Sequence, residues 1–142
     1  MSSVHKNCPA ASVCVCLTII LAGVPLFAAD PFAVDVPLAA DGVQRASVEA
    51  DSYSFIPGHL VVKAGKPVEL TVRSLTWLVP HNLIIDDPRS GLTIREEIPA
   101  GGSVTVKFTP AVAGTFAIYC DQKLLFFKSH REKGMEGTLE VR

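Results

Sequence analysis

The chain has almost no net charge. Its 13 lysines and arginines face 14 aspartates and glutamates, for a formal charge of −1. No basic stripe with interleaved aromatics is present, so a nucleic-acid partner is excluded. No serine or cysteine sits in a nucleophile motif. Asp86, Asp87, Glu96 and Glu97 read as solvated turns and strand ends, not as an acid–base pair, so hydrolysis has no support. Internal repeats, low-complexity tracts and any long helical pattern are also absent. At 142 residues there is room for one sizeable core but not two.

Cysteine is scarce, and its placement is informative. Cys8, Cys14 and Cys16 lie in a segment that opens with His5 and Lys6 and is nearly all apolar over residues 13–26. Small residues follow at Ala28 and Ala29. That layout is a secretory signal peptide over residues 1–29, cleaved near Ala28 or Ala29, with a later site near Ala40 as an alternative. The apolar run is short for a bilayer span and no basic stop-transfer segment follows it. Stable membrane insertion after cleavage is therefore not expected, an uncleaved anchor being the alternative. The mature protein is expected to be periplasmic and to keep Cys120 alone. A lone thiol in an oxidising compartment is open to oxidation or intermolecular pairing unless something occupies it. A metal would do so; the plainer reading is a buried thiol acting as a small hydrophobe.

Residues 30–46 read as a leader or first edge segment, and residues 47–142 as the folded domain. Strands are expected over 47–55, 60–62, 68–72, 83–85, 93–98, 104–108, 115–120 and 138–141. Val68, Leu70 and Val72 alternate with Glu69, Thr71 and Arg73, the period of a half-buried strand. Turns fall at residues 64–67, 86–88, 99–102 and 110–114. Eight short strands separated by proline and glycine turns predict an all-β sandwich or small barrel. Only residues 123–133 leave room for a helical turn or two.

The residues with chemistry lie around the late cysteine. Cys120 ends a predicted strand. His81 follows Pro80, and His130 and Met135 sit in the last long connection. In a sandwich these positions reach one end. A thiolate, two imidazoles and a thioether form a ligand set for a single copper ion cycling between Cu(I) and Cu(II). Asn82 can tie the two ligand-bearing loops through its amide, with its backbone N–H aimed at the cysteine sulfur; its plainer reading is a turn asparagine. His59 reads as a surface residue or an additional ligand. Tyr119 and Trp77 read as packing residues.

The fragments Phe55-Ile56-Pro57, Val61-Val62-Lys63-Ala64-Gly65, Pro80-His81-Asn82, Gly114-Thr115-Phe116, Tyr119-Cys120 and His130 through Met135-Glu136-Gly137 together resemble the cupredoxins, the plastocyanin and azurin class. The resemblance spans residues 47–142. It implies an eight-stranded Greek-key β-sandwich, with His81, Cys120 and His130 as equatorial ligands and Met135 as the axial one. One departure stands out. Nine residues, 121–129, separate Cys120 from His130, where the family usually has only a few. Leu124, Leu125, Phe126 and Phe127 lie in that stretch, as an apolar lid or a docking patch. Blue, green or red geometry all remain open, with Glu132, His59 or water as substitutes for Met135. A dinuclear site needs a second cysteine in the loop, which is missing.

Two functions follow. The first is a monomeric periplasmic electron carrier, not an enzyme, meeting a redox partner protein through weak contacts. The second is a copper resistance, storage or delivery protein meeting a copper-handling partner. Lys123, Lys128, Arg131 and Lys133 are either a solvated face or a dock for an acidic partner.

Overall fold

The computed structural model describes residues 32–142. The expected export segment, residues 1–29, lies outside them. The described chain forms ten strands: β1 (Ala33–Asp35), β2 (Gln44–Asp51), β3 (Ser54–Ile56), β4 (His59–Val62), β5 (Val68–Ser74), β6 (His81–Asp87), β7 (Leu92–Ile98), β8 (Ser103–Phe108), β9 (Gly114–Tyr119) and β10 (Glu136–Val141). They build a six-stranded sheet, β1-β4-β10-β9-β6-β7, and a four-stranded sheet, β3-β2-β5-β8.

The expected count of eight strands is thus low, for two local reasons. The segment 47–55, taken as one strand, breaks after Asp51. There the Asp51 carboxylate accepts from the Ser52 backbone N–H at 2.7 Å, an Asp–Ser turn that competes with the sheet ladder. The second addition is β1, a short sheet edge whose one strand partner among the described residues is the parallel β4. The boundary drawn between residues 46 and 47 falls inside β2, which starts at the fully buried Gln44. Gln44 takes the Lys63 N–H on its Oε1 at 2.7 Å and donates from Nε2 to the Lys63 carbonyl at 3.2 Å. A polar residue opens this strand because it satisfies the backbone of a neighbouring turn.

Alternation decides which faces meet. In β5, Val68, Leu70 and Val72 are buried while Arg73 is exposed. They pack with Val48 and Ala50 of β2, Leu60 and Val62 of β4, Leu83 and Ile85 of β6 and Leu139 of β10. Each such aliphatic side chain contributes about 1.5–3 kcal/mol by leaving water. Outside the strands, two short 3-10 turns occur, at Pro88–Ser90 and Arg131–Lys133; the second is the helical turn allowed for residues 123–133.

The topology also sets one end of the sandwich apart. Strands β10, β9 and β6 are neighbours. Glu136, which opens β10, pairs with Tyr119, which closes β9, and Ile84 of β6 pairs with the same Tyr119. The start of β6, the exit from β9 and the entry to β10 therefore share one end.

Candidate metal centre

His81 is the first residue of β6, Cys120 the first after β9, and His130 and Met135 flank the 3-10 turn before β10. All four are buried, Cys120, Met135 and His81 completely. His130 Nδ1 lies 3.4 Å from Cys120 Sγ and 3.2 Å from His81 Nδ1. One donor atom from each of His81, Cys120 and His130 falls within 4.8 Å of the other two. A sulfur and two imidazole nitrogens aimed at one point need a proton or a cation between them. Soft sulfur with imidazole is a copper donor set, and this cluster can coordinate a single copper ion.

Backbone bonds hold the loops in this arrangement. Gln122 O accepts from His130 N at 2.8 Å, His130 O from Met135 N at 3.0 Å, and Met135 O from Cys120 N at 3.2 Å. The link of nine residues between Cys120 and His130 is thus pinned at both ends. Asn82 occupies the tying position. Its backbone N–H donates to Cys120 Sγ at 3.4 Å. Its side-chain Nδ2 donates to Asp121 Oδ1 at 2.7 Å, and its Oδ1 accepts from Asp121 N at 3.0 Å. Arg95 grips both Asp121 oxygens, at 3.2 and 3.1 Å, and with Asn82 keeps that carboxyl below the usual carboxylate range.

Burial dominates the electrostatics. It pushes the Cys120 thiol up, against the N–H groups of Asn82 and Gln122 that favour the thiolate. It pushes both histidines down, and His81 is lowered further by the neighbouring His130. Both directions disfavour the charged forms, thiolate and imidazolium alike.

Two contributors escape a sequence reading. Thr76 Oγ1 donates to the Val79 carbonyl at 2.7 Å and lies 2.9 Å from His81 Nε2. With its hydrogen so engaged, the hydroxyl accepts from Nε2–H, which leaves the Nδ1 lone pair of His81 facing the cluster. Tyr53, in the turn between β2 and β3, packs edge-on against His130 with ring centroids 5.3 Å apart. Neither residue type carries a ligand signature, and only spatial proximity reveals them.

The other candidates lie elsewhere. His59 pairs with Glu140 at 3.2 Å and is outside the cluster. Glu132 accepts from Ser129 N and Oγ at 2.7 and 2.8 Å. Tyr119 lies beneath the Arg131 guanidinium at 3.9 Å, a cation–π contact. Trp77, expected to pack, is 83% exposed. Residues 124–127 point outward and are not a lid, with Phe126 84% exposed.

A model of the cupredoxin-like domain matches residues 18–139. Among solved structures, the metal-binding domain of the Cu(I)-exporting P-type ATPase CopA of Streptococcus pneumoniae, solved with Cu(I), aligns at 21% identity and TM-score 0.56. It covers 78% of this chain and 95% of its own. Auracyanin A, a "blue" copper protein from Chloroflexus aurantiacus, aligns at 19% identity and TM-score 0.56, covering 71% and 100%. Auracyanin B aligns at 23% identity and TM-score 0.55, covering 69% and 88%. These likenesses establish the fold. No curated protein matches the chain.

Proposed function

The chain belongs to the cupredoxin-like domain family, and on that premise we propose that it is an exported, periplasmic, monomeric protein that holds one copper ion for one-electron transfer. The observation that carries this reading is the buried convergence of His81, Cys120 and His130 within 4.8 Å. Met135 would supply the fourth donor, because it is fully buried and its backbone is bonded to both Cys120 and His130.

Copper bound there supplies reversible cycling between Cu(I) and Cu(II). The chain's own work is to hold the donors still. Strands β6, β9 and β10 fix the loop ends, Asn82 locks one loop to another, and Thr76 sets the His81 tautomer. Burial keeps water away. Cys120 must give up its proton to bind, so loading releases a proton and tightens as pH rises. His130, beside a recess of about 130 Å³, is the donor nearest solvent and offers the electron path to a redox partner protein.

Absorption and paramagnetic resonance spectra of copper-loaded protein test this. About one copper per chain and a sulfur-to-copper band are expected, and Cys120→Ala should abolish the band. A band retained in that variant would remove Cys120 from the site. The nine-residue loop between Cys120 and His130 favours a second reading, copper storage or delivery to a copper-handling partner. Rapid loss of copper to a Cu(I) chelator would select it.

A further inference from the structure

We propose that the end of the sandwich bearing the cluster docks reversibly on a bilayer surface containing anionic phospholipid, with Trp77, Leu78, Leu124, Leu125, Phe126 and Phe127 entering the boundary between headgroups and acyl chains. This inference is independent of the copper reading and requires no metal.

Those six side chains are between 52% and 93% exposed. They come from two loops, residues 75–80 before β6 and residues 121–129 after β9. The loops meet at the recess that Leu78, Lys123, Leu124 and His130 line together. So large an apolar cluster left in water marks an interaction site. Its construction is specific. Trp77 stands over the face of Gly101, where an added Cβ would come within 3.2 Å of the indole ring. Phe126 and Phe127 stack at 5.0 Å. Leu125 holds a left-handed backbone, φ 50°, which disfavours any residue with a Cβ, yet its side chain is spent on solvent. The turn is closed by a hydrogen bond from Phe127 N to Leu124 O at 3.0 Å, which holds the apolar side chains at its tip.

Charge and shape select the occupant. Lys123 and Lys128 bracket the apolar residues 124–127, with Arg131 and Lys133 following. Of the carboxylates at this end, Asp121 is paired with Arg95 and Glu136 with Arg131, while Glu132, held by Ser129, keeps its charge near Lys123 and Lys128 and offsets part of theirs. Apolar tips ringed by lysine, with tryptophan at the margin, match an anionic interface, where lysines sit among headgroups and rings sit below them. The apolar atoms stand on convex loop tips, and the recess between the loops is only about 130 Å³. Fluid acyl chains close around such side chains without a preformed complement, and because the docking is reversible the same end stays open to a redox partner between encounters.

The test uses the full metal-free chain and the fluorescence of Trp77. It is the only tryptophan present, so it reports this end whatever residues 1–31 do. Vesicles of phosphatidylethanolamine and phosphatidylglycerol carrying brominated acyl chains should quench Trp77 and shift its emission to the blue, and salt should reverse both. Phe126→Ser with Phe127→Ser should weaken binding about tenfold or more. Lys123→Gln and Lys128→Gln should each weaken it about fivefold. If Trp77 stays unquenched on every vesicle, or responds only to an added protein, the proposal is overturned. Equal, salt-independent quenching on purely zwitterionic vesicles overturns it too. Should a variant fail to fold, the wild-type quenching still decides.

Discussion

The interior of the two sheets and the end that carries the cluster put apolar side chains to opposite use. Leu70, Val72, Ile85 and Leu139 are fully buried between the sheets. Leu124, Leu125, Phe126 and Phe127, as apolar as any of them, stand in solvent. Burial explains the first set as stability. It does not explain the second, which the proposed bilayer contact would. Between the two lies the cluster, buried like the core but polar, and tolerable only because its groups are satisfied. No buried side-chain nitrogen or oxygen among the described residues lacks a partner.

The comparison can be broken most sharply in the core. Leu70→Ala should cost about 2–5 kcal/mol in urea unfolding, since a cavity opens between two sheets that cannot collapse onto it. Thr76→Val keeps the shape but removes the acceptor for His81 Nε2–H. Copper affinity should fall about 10- to 100-fold in a competitive chelator titration, and the thermal midpoint of the metal-free protein should fall too, because a buried Nε2–H is left without a partner.

Next is a pH effect on metal-free protein. Burial holds the folded-state His81 and His130 below their ordinary value of 6.5. The unfolded chain then binds protons more readily, so stability is full above the unfolded value and declines as pH falls through it. Urea midpoints from about pH 8 down to about pH 5 should show the decline, and His81→Asn should flatten it. The smallest effect is the most telling for the comparison. Phe126→Ser should change stability by no more than about 0.5 kcal/mol, because the ring is already in water. A loss comparable to Leu70→Ala would mean that the loop belongs to the core after all.

Much of the frame was legible along the chain. Alternation in β5 and β8 exposes their period directly, and the apolar residues 83–85 mark the buried centre of β6. The extra strands were not legible. The edge strand β1 is three residues long and owes its form to β4, and the break after Asp51 rests on one local hydrogen bond. In the candidate site, Cys120 is conspicuous as the only late cysteine, and Asn82 follows from standing beside a histidine. Choosing among histidines is harder. His59 and His81 are alike in type, yet strand order sends His59 to Glu140 and His81 to Cys120.

Donor chemistry and strand period are properties of residue type and spacing, so the order of amino acids alone was enough to indicate a β-sandwich and a sulfur–imidazole cluster. How Thr76 orients one imidazole, and whether residues 124–127 fold inward or out, depend on how strands pair across the sheet. Pairing unites residues far apart along the chain, and no local pattern encodes that distance. Only the folded arrangement could decide them.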